Sequence, residues 1–165
     1  MALTIEDGTG VAGANSYVTA DDLRAYADSR GTALGTDDST LEPYLIQAMD
    51  IIESYRSRFQ GVKTDSDNAL QFPRSGVFID GSEIGDAVIP GELKNAQCQY
   101  ALDAMTNDLM PNRLVSDTGA VIEETVDVIT VKYDKTAQRS KPYFAKAEAW
   151  LAPLLKPIQA VSIRT

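Results

Sequence analysis

The chain has 165 residues, 44% of them apolar, which fits one globular domain with a sizeable core. Its net charge is −9, with 15 basic and 24 acidic residues, which argues against a general coat on nucleic acid. The absence of histidine removes the usual acid–base and metal chemistry, and a single cysteine excludes an internal disulfide. No signal peptide and no membrane-spanning stretch are predicted, so we expect synthesis in a cytoplasm.

The first half of the chain predicts two amphipathic helices. Thr19 caps the first, with Asp22 three residues later in a capping-box position. Thr40 caps the second, Pro43 lies in its first turn, and Gly61 closes it. Residues 62–68 are predicted to form a polar connection.

The second half predicts a hairpin, a third helix, a strand and a fourth helix. Asp80-Gly81 suits a tight primed turn, because both central residues need positive φ. Pro90 opens the third helix, residues 122–133 alternate as a strand, and Pro153 kinks or ends the last helix. The expected fold is mainly α: a small helical domain over residues 1–157 with β-hairpin insertions, followed by a C-terminal tail over residues 158–165.

Three motifs suggest chemistry but favour structural interpretations. Residues 8–13 match G-x-G-x-x-G, yet no βαβ pattern surrounds them, so a glycine loop is predicted rather than a dinucleotide site. Residues 65–68 resemble the start of a calcium loop but lack its glycine and closing glutamate, which favours a solvated loop. Cys98 lies mid-helix among alanines and is predicted to fill the core. We therefore expect no enzyme, metal or cofactor site.

Arg74 follows the rigid Phe72-Pro73 corner and has three open interpretations. It is a surface arginine, a partner in a structural ion pair, or a contact with a neighbouring subunit, since arginine is favoured at interfaces.

Several motifs together resemble a known family. The stretch Leu70-x-Phe72-Pro73-Arg74-x-Gly76, the turn Asp80-Gly81 and the segment Ile89-Pro90-x-x-Leu93-Lys94-x-Ala96-Gln97, taken together, resemble tailed-phage head–tail connector (adaptor) proteins. The opening Glu6-Asp7-Gly8-Thr9-Gly10-Val11-Ala12-Gly13-Ala14-Asn15-Ser16-Tyr17-Val18 is similar to a phage family labelled "putative DnaT-like single-stranded-DNA-binding protein". The resemblance covers nearly the whole chain.

The resemblance implies a structural virion protein that assembles into a ring, commonly of twelve copies, below the portal protein. The ring would extend the DNA channel and dock the next neck, stopper or tail-completion protein. Double-stranded DNA would pass through without specific binding, and an acidic charge suits such a channel. The implied location is the virion, assembled in the bacterial cytoplasm.

The residues expected at subunit or portal interfaces come from two-sided apolar alternation and from the exposed-looking tail. The tail is predicted to become ordered as a strand added to a partner, with folding back onto residues 3–5 as the alternative. The predicted interface residues are Arg74, Val77, Ile79, Val126, Val128, Val161, Ile163 and Arg164.

The alternative function is single-stranded-DNA binding of the replication-restart type. Such a protein needs a basic groove with stacking aromatic side chains, and an acidic chain without an evident basic cluster argues against it. A gel shift at low salt separates the two hypotheses.

Overall fold

The computed structural model describes residues 2–111, 123–126, 129–132 and 143–156. For residues 123–126 and 129–132 the description covers the backbone alone. In chain order the elements are α1 (Ala20–Asp28), α2 (Asp38–Ser54), β1 (Val62–Lys63), β2 (Arg74–Ser75), β3 (Phe78–Ile79), β4 (Ser82–Glu83), α3 (Gly91–Ala104), β5 (Glu123–Val126), β6 (Ile129–Lys132) and α4 (Ala145–Leu151), with a 3-10 turn at Ala152–Leu154.

The fold is mixed α and β, and the expectation of a mainly α fold is wrong. The described residues contain four helices and three two-stranded antiparallel sheets, β1–β2, β3–β4 and β5–β6. The β1–β2 sheet was missed, because its two-residue strands are too short for a clear period of two. The chain forms two compact units, Met1–Leu109 with Phe144–Thr165, and Met110–Tyr143. The predicted boundary after residue 157 lies outside the described residues.

The helix starts follow their capping chemistry. Thr19 caps α1 through the predicted capping box, in which its side chain accepts from the backbone N–H of Asp22 and the Asp22 carboxylate accepts from that of Thr19. For α2 the predicted cap at Thr40 is wrong: Asp37 caps the helix and accepts from the Ser39 N–H. Pro43 consequently lies inside the helix, beyond its first turn.

The predicted hairpin is confirmed. β3 and β4 pair with Phe78 opposite Glu83, and Asp80 and Gly81 form the two-residue turn with φ of 51° and 81°. The interpretation of residues 62–68 as a connection without strands was incomplete, because Val62 and Lys63 pair with Ser75 and Arg74.

Residues 122–133 hold a hairpin rather than one strand. β5 and β6 are antiparallel, with Glu123 opposite Lys132 and Val126 opposite Ile129. A continuous alternation over residues 122–133 had been expected, and residues 127 and 128 lie outside the described residues. The hairpin belongs to the unit Met110–Tyr143.

Helix α3 is the centre of the first unit. It packs against α1, α2 and α4 and buries eight of its fourteen residues, including two glutamines. A helix buried on most of its circumference lies in the interior of a domain rather than on its surface. Pro90 precedes α3 and Pro153 lies in the 3-10 turn that ends α4, as predicted. No helix among the described residues is long and apolar enough to cross a membrane.

Candidate functional site

The glycine loop of residues 8–13 is built around a buried carboxylate. Glu6 is fully buried, and its two oxygens accept the backbone N–H groups of Gly8, Gly10 and Val11 at 2.8–2.9 Å. Gly8 has φ of 107°, and a Cβ there would lie 1.9 Å from the carbonyl oxygen of Ala87. The loop therefore binds a carboxylate of its own chain where a dinucleotide loop would bind pyrophosphate.

A second buried polar network joins distant parts of the chain through Gln97. The Gln97 amide accepts from the Tyr17 N–H at 2.9 Å and donates to the Ser16 hydroxyl at 2.7 Å and the Leu45 carbonyl at 3.2 Å. The Tyr17 hydroxyl accepts from the Phe72 N–H at 3.0 Å, and burial raises the pKa of Tyr17. We call Ser16, Tyr17, Phe72 and Gln97 the buried polar network. It fixes the opening loop, the Phe-Pro corner and α2 onto α3.

Arg74 forms hydrogen bonds within the chain. Its side chain is buried, with Nε donating to the Gln60 carbonyl at 2.7 Å and Nη2 to the Gly61 carbonyl at 2.8 Å. Nη1 lies 3.3 Å from the Gln71 amide oxygen. Burial lowers the pKa of Arg74. It is neither a surface arginine nor part of an ion pair among the described residues, while the predicted subunit contact stays a prediction.

The hairpin presents a different side chain from those predicted. Val77 is fully buried and Ile79 packs against the core, whereas Phe78 between them is 50% exposed. The sequence predicts that successive side chains of this strand point to opposite faces, but it does not predict which face is exposed to water. Of the other predicted interface residues, Val126 lies in β5, where only the backbone is described. Val128, Val161, Ile163 and Arg164 lie outside the described residues.

The other groups that the sequence suggested for chemistry, Cys98 and the acidic residues 65–68, have structural roles. Cys98 is buried in α3, and burial raises the pKa of its thiol to about 12, so it is a poor nucleophile near neutral pH. In residues 65–68 the Asp65 carboxylate accepts a hydrogen bond from the Asp67 N–H at 2.9 Å, so this carboxylate stabilises a local turn. The described residues contain no group of three or more His, Cys, Asp or Glu side chains placed to hold a metal ion.

An exposed cationic surface forms where α2 ends. The backbone turns after Ser54, and the Arg58 carbonyl accepts from the Lys156 N–H at 2.7 Å. Phe59, which is fully buried, bridges to Leu155 and anchors the two segments. We call Tyr55, Arg56, Arg58 and Lys156 the cationic turn.

The side chains of the cationic turn suit a polyanion that also carries planar rings able to stack. Arg56, Arg58 and Lys156 are exposed, and the Arg58 guanidinium lies 5.3 Å from the centroid of the half-buried Tyr55 ring. Among the described residues the ion pairs are those of Arg24 with Asp21 and Asp38, so none of these three cations forms an ion pair there. An arginine beside an aromatic ring provides both a phosphate contact and a stacking surface.

A basic and aromatic segment also escaped the sequence analysis. Residues 132–146 hold five of the 15 basic residues and one of the 24 acidic ones, together with two tyrosines and a phenylalanine. Within it, Tyr143 is 73% exposed and Lys146 is exposed. A sliding count of charge would have found this segment, whereas the whole-chain charge conceals it.

The whole chain, residues 1–165, matches the family model described as "Putative DnaT-like ssDNA binding protein", and the chain belongs to that family. No curated protein matches the chain, and neither does any solved structure. The family's printed description agrees with the alternative function weighed from the sequence better than with a connector.

Proposed function

We propose that this member of the DnaT-like family binds single-stranded DNA. The observation that carries the proposal is the cationic turn, in which the Arg58 guanidinium lies 5.3 Å from the centroid of the Tyr55 ring and the Lys156 backbone N–H bonds the Arg58 carbonyl. The family description supports the same ligand. The proposal is for binding and includes no catalytic step; Cys98 and the acidic turn at residues 65–68, two groups weighed for chemistry, are both engaged structurally.

The net charge of −9 is compatible with this proposal because charge is distributed unevenly. Phosphates are attracted by local groups within a Debye length of about 8–10 Å, and more distant carboxylates are largely screened at physiological salt. Three phosphate contacts give a salt slope of roughly −2 for single-stranded DNA. We expect weak to moderate, salt-sensitive binding with little preference for sequence.

A titration of labelled oligo(dT) by fluorescence anisotropy at low salt tests the proposal. Arg58→Gln and Lys156→Gln should each weaken binding by roughly three- to tenfold, since each removes one phosphate contact. With an oligo(dT) that has a 5′-hydroxyl end, Lys94→Gln is the matched control, because Lys94 is an exposed lysine on α3 outside the cationic turn. Equal affinity of wild type and both turn variants would contradict the proposal.

We propose a head–tail connector subunit as the second candidate function, because apolar side chains are exposed on the β3–β4 hairpin and on β1. Phe78 is 50% exposed and Val62 is 65% exposed. The Gln60 amide bonds both the N–H and the carbonyl of Phe78 and also the Pro153 carbonyl, which holds the hairpin against the 3-10 turn. Exposed apolar side chains mark protein–protein contacts where they form a contiguous patch, which this proposal requires of Phe78 and Val62.

In this second candidate function, copies of the chain form a ring in the virion, with the portal and a neck protein as partners and double-stranded DNA in the channel. Sedimentation velocity of wild type and Phe78→Ser tests it. Assembly into a ring that Phe78→Ser abolishes would support the connector, and a monomer at all concentrations with retained oligo(dT) binding would leave only the first proposal.

A further inference from the structure

A groove between α1 and α3 holds polar groups that the fold leaves unused. It has a volume of about 350 Å³, within the range of small-molecule sites. Its walls carry Arg30 from the turn after α1, and Lys94 and Asn95 from α3, while the buried Cys98 and Val18 also line it. These residues lie outside both the cationic turn and the buried polar network.

Arg30 is held in place at this groove. Its guanidinium lies 3.4 Å from the centroid of the Tyr26 ring, and its Nη1 donates to the Tyr26 carbonyl at 3.0 Å and the Ser29 hydroxyl at 2.8 Å. Its Nε and Nη2 have no acceptor among the described residues. A guanidinium fixed by stacking keeps its planar fork available for a phosphate at a small entropic cost.

The other polar groups of the groove complement Arg30. The Lys94 ammonium and the Asn95 amide form no hydrogen bond within the described part of the chain, and Lys94 is exposed. The Asp22 carboxylate also lines the groove, but its Oδ2 accepts from the Thr19 N–H and hydroxyl, both at 2.8 Å. Two cations with an amide and a carboxylate fit a phosphate that bears a hydroxylated group.

We propose that the α1–α3 groove binds a phosphate monoester, with the phosphate between Arg30 and Lys94. The ester comes either from a free nucleotide or from the 5′-phosphate end of a strand. This site is independent of the cationic turn, which the single-strand proposal uses for internal phosphodiesters. Loss of one site therefore leaves the other measurable.

The test is an NMR titration of the full chain, following backbone amides, with inorganic phosphate, dTMP and unphosphorylated thymidine as probes. We expect saturable shifts at Arg30, Lys94 and Asn95 with phosphate and dTMP, and none with thymidine. Arg30→Gln and Lys94→Gln should each weaken dTMP binding about tenfold or more, while Arg56→Gln, outside the groove, leaves it unchanged.

Two further arms identify the source of the ester. Tighter binding of a 5′-phosphorylated than a 5′-hydroxyl oligo(dT), with the difference lost in Lys94→Gln, supports a strand end, and equal binding of the two supports a free nucleotide. No saturable shift with either phosphate probe up to about 10 mM would overturn the proposal, as would shifts unchanged in both variants. Trp150, which lies beside the Tyr26 hydroxyl, offers an independent fluorescence readout.

Discussion

The buried polar network and the cationic turn differ in what they contribute to the molecule. Gln97 and Tyr17 belong to the motifs that carry the family resemblance, and both are buried in the scaffold. Arg56 and Arg58 lie outside those motifs and face water. Gln97 and Tyr17 therefore explain why the chain folds as it does, and they do not distinguish a DNA-binding protein from a connector. Function has to be sought on the exposed residues.

The largest loss of stability is expected from a substitution of Gln97 in the buried polar network. Gln97→Ala leaves the Tyr17 N–H unsatisfied in the core and opens a cavity, so the free energy of unfolding should fall by about 3–4 kcal/mol. Urea denaturation measures this loss. Lys94→Ala on the exposed face of the same helix should change stability by less than about 0.5 kcal/mol. Equal effects at both positions would mean that the buried polar network is not stabilising.

A pair of glycines tests the loop around Glu6. Gly8→Ala places a methyl group against the Ala87 carbonyl and should cost about 2–3 kcal/mol. Gly13 also has positive φ, at 70°, but a Cβ there meets nothing within 4 Å, so Gly13→Ala should cost only about 1 kcal/mol. Thermal melting compares the two variants, and the reverse order would contradict the packing of this loop.

Arg74→Lys keeps the positive charge but loses the planar fork that reaches the Gln60 and Gly61 carbonyls. We expect a loss of about 1–2 kcal/mol in unfolding free energy, with oligo(dT) affinity of the folded protein unchanged. Normal stability combined with lost self-association would instead favour the predicted subunit contact of Arg74.

A smaller effect is expected in the pH dependence of folding stability. Burial raises the pKa of Asp103, whose Oδ1 accepts from the Gln99 amide at 3.2 Å. The charged form is therefore disfavoured in the folded protein, and the stability that the protonated group contributes is lost as pH rises through its folded pKa. Relative to wild type, Asp103→Asn should gain stability as pH rises above about 4. A difference independent of pH between 3 and 7 would contradict the burial of this carboxylate.

The sequence predicted the local features with strong chemical signals and missed those set by tertiary contacts. The Thr19 capping box and the Asp80-Gly81 turn depend on neighbouring residues, and both are confirmed. The β1–β2 pairing joins two-residue strands across an intervening loop, and no periodicity reveals strands so short. The burial of Glu6 could not be predicted because its hydrogen-bond donors are backbone groups, which every sequence has.

The candidate site was predictable only in part. Arg74 was singled out correctly as unusual, but its role in bonding carbonyls needed coordinates. The cationic turn brings residues 55–58 next to residue 156, a proximity created by the bridge between Phe59 and Leu155. By contrast, the basic segment at residues 132–146 was visible in the sequence throughout, and averaging charge over the whole chain hid it.

The measurement that tests the central claim most directly is oligo(dT) anisotropy with a triple variant, Arg56→Gln, Arg58→Gln and Lys156→Gln. These side chains are exposed, so we expect the melting temperature of wild type and an oligo(dT) affinity lowered by at least about thirtyfold, with the salt slope reduced by about 2. Wild-type affinity and salt slope in a folded triple variant would contradict the assignment of DNA binding to the cationic turn.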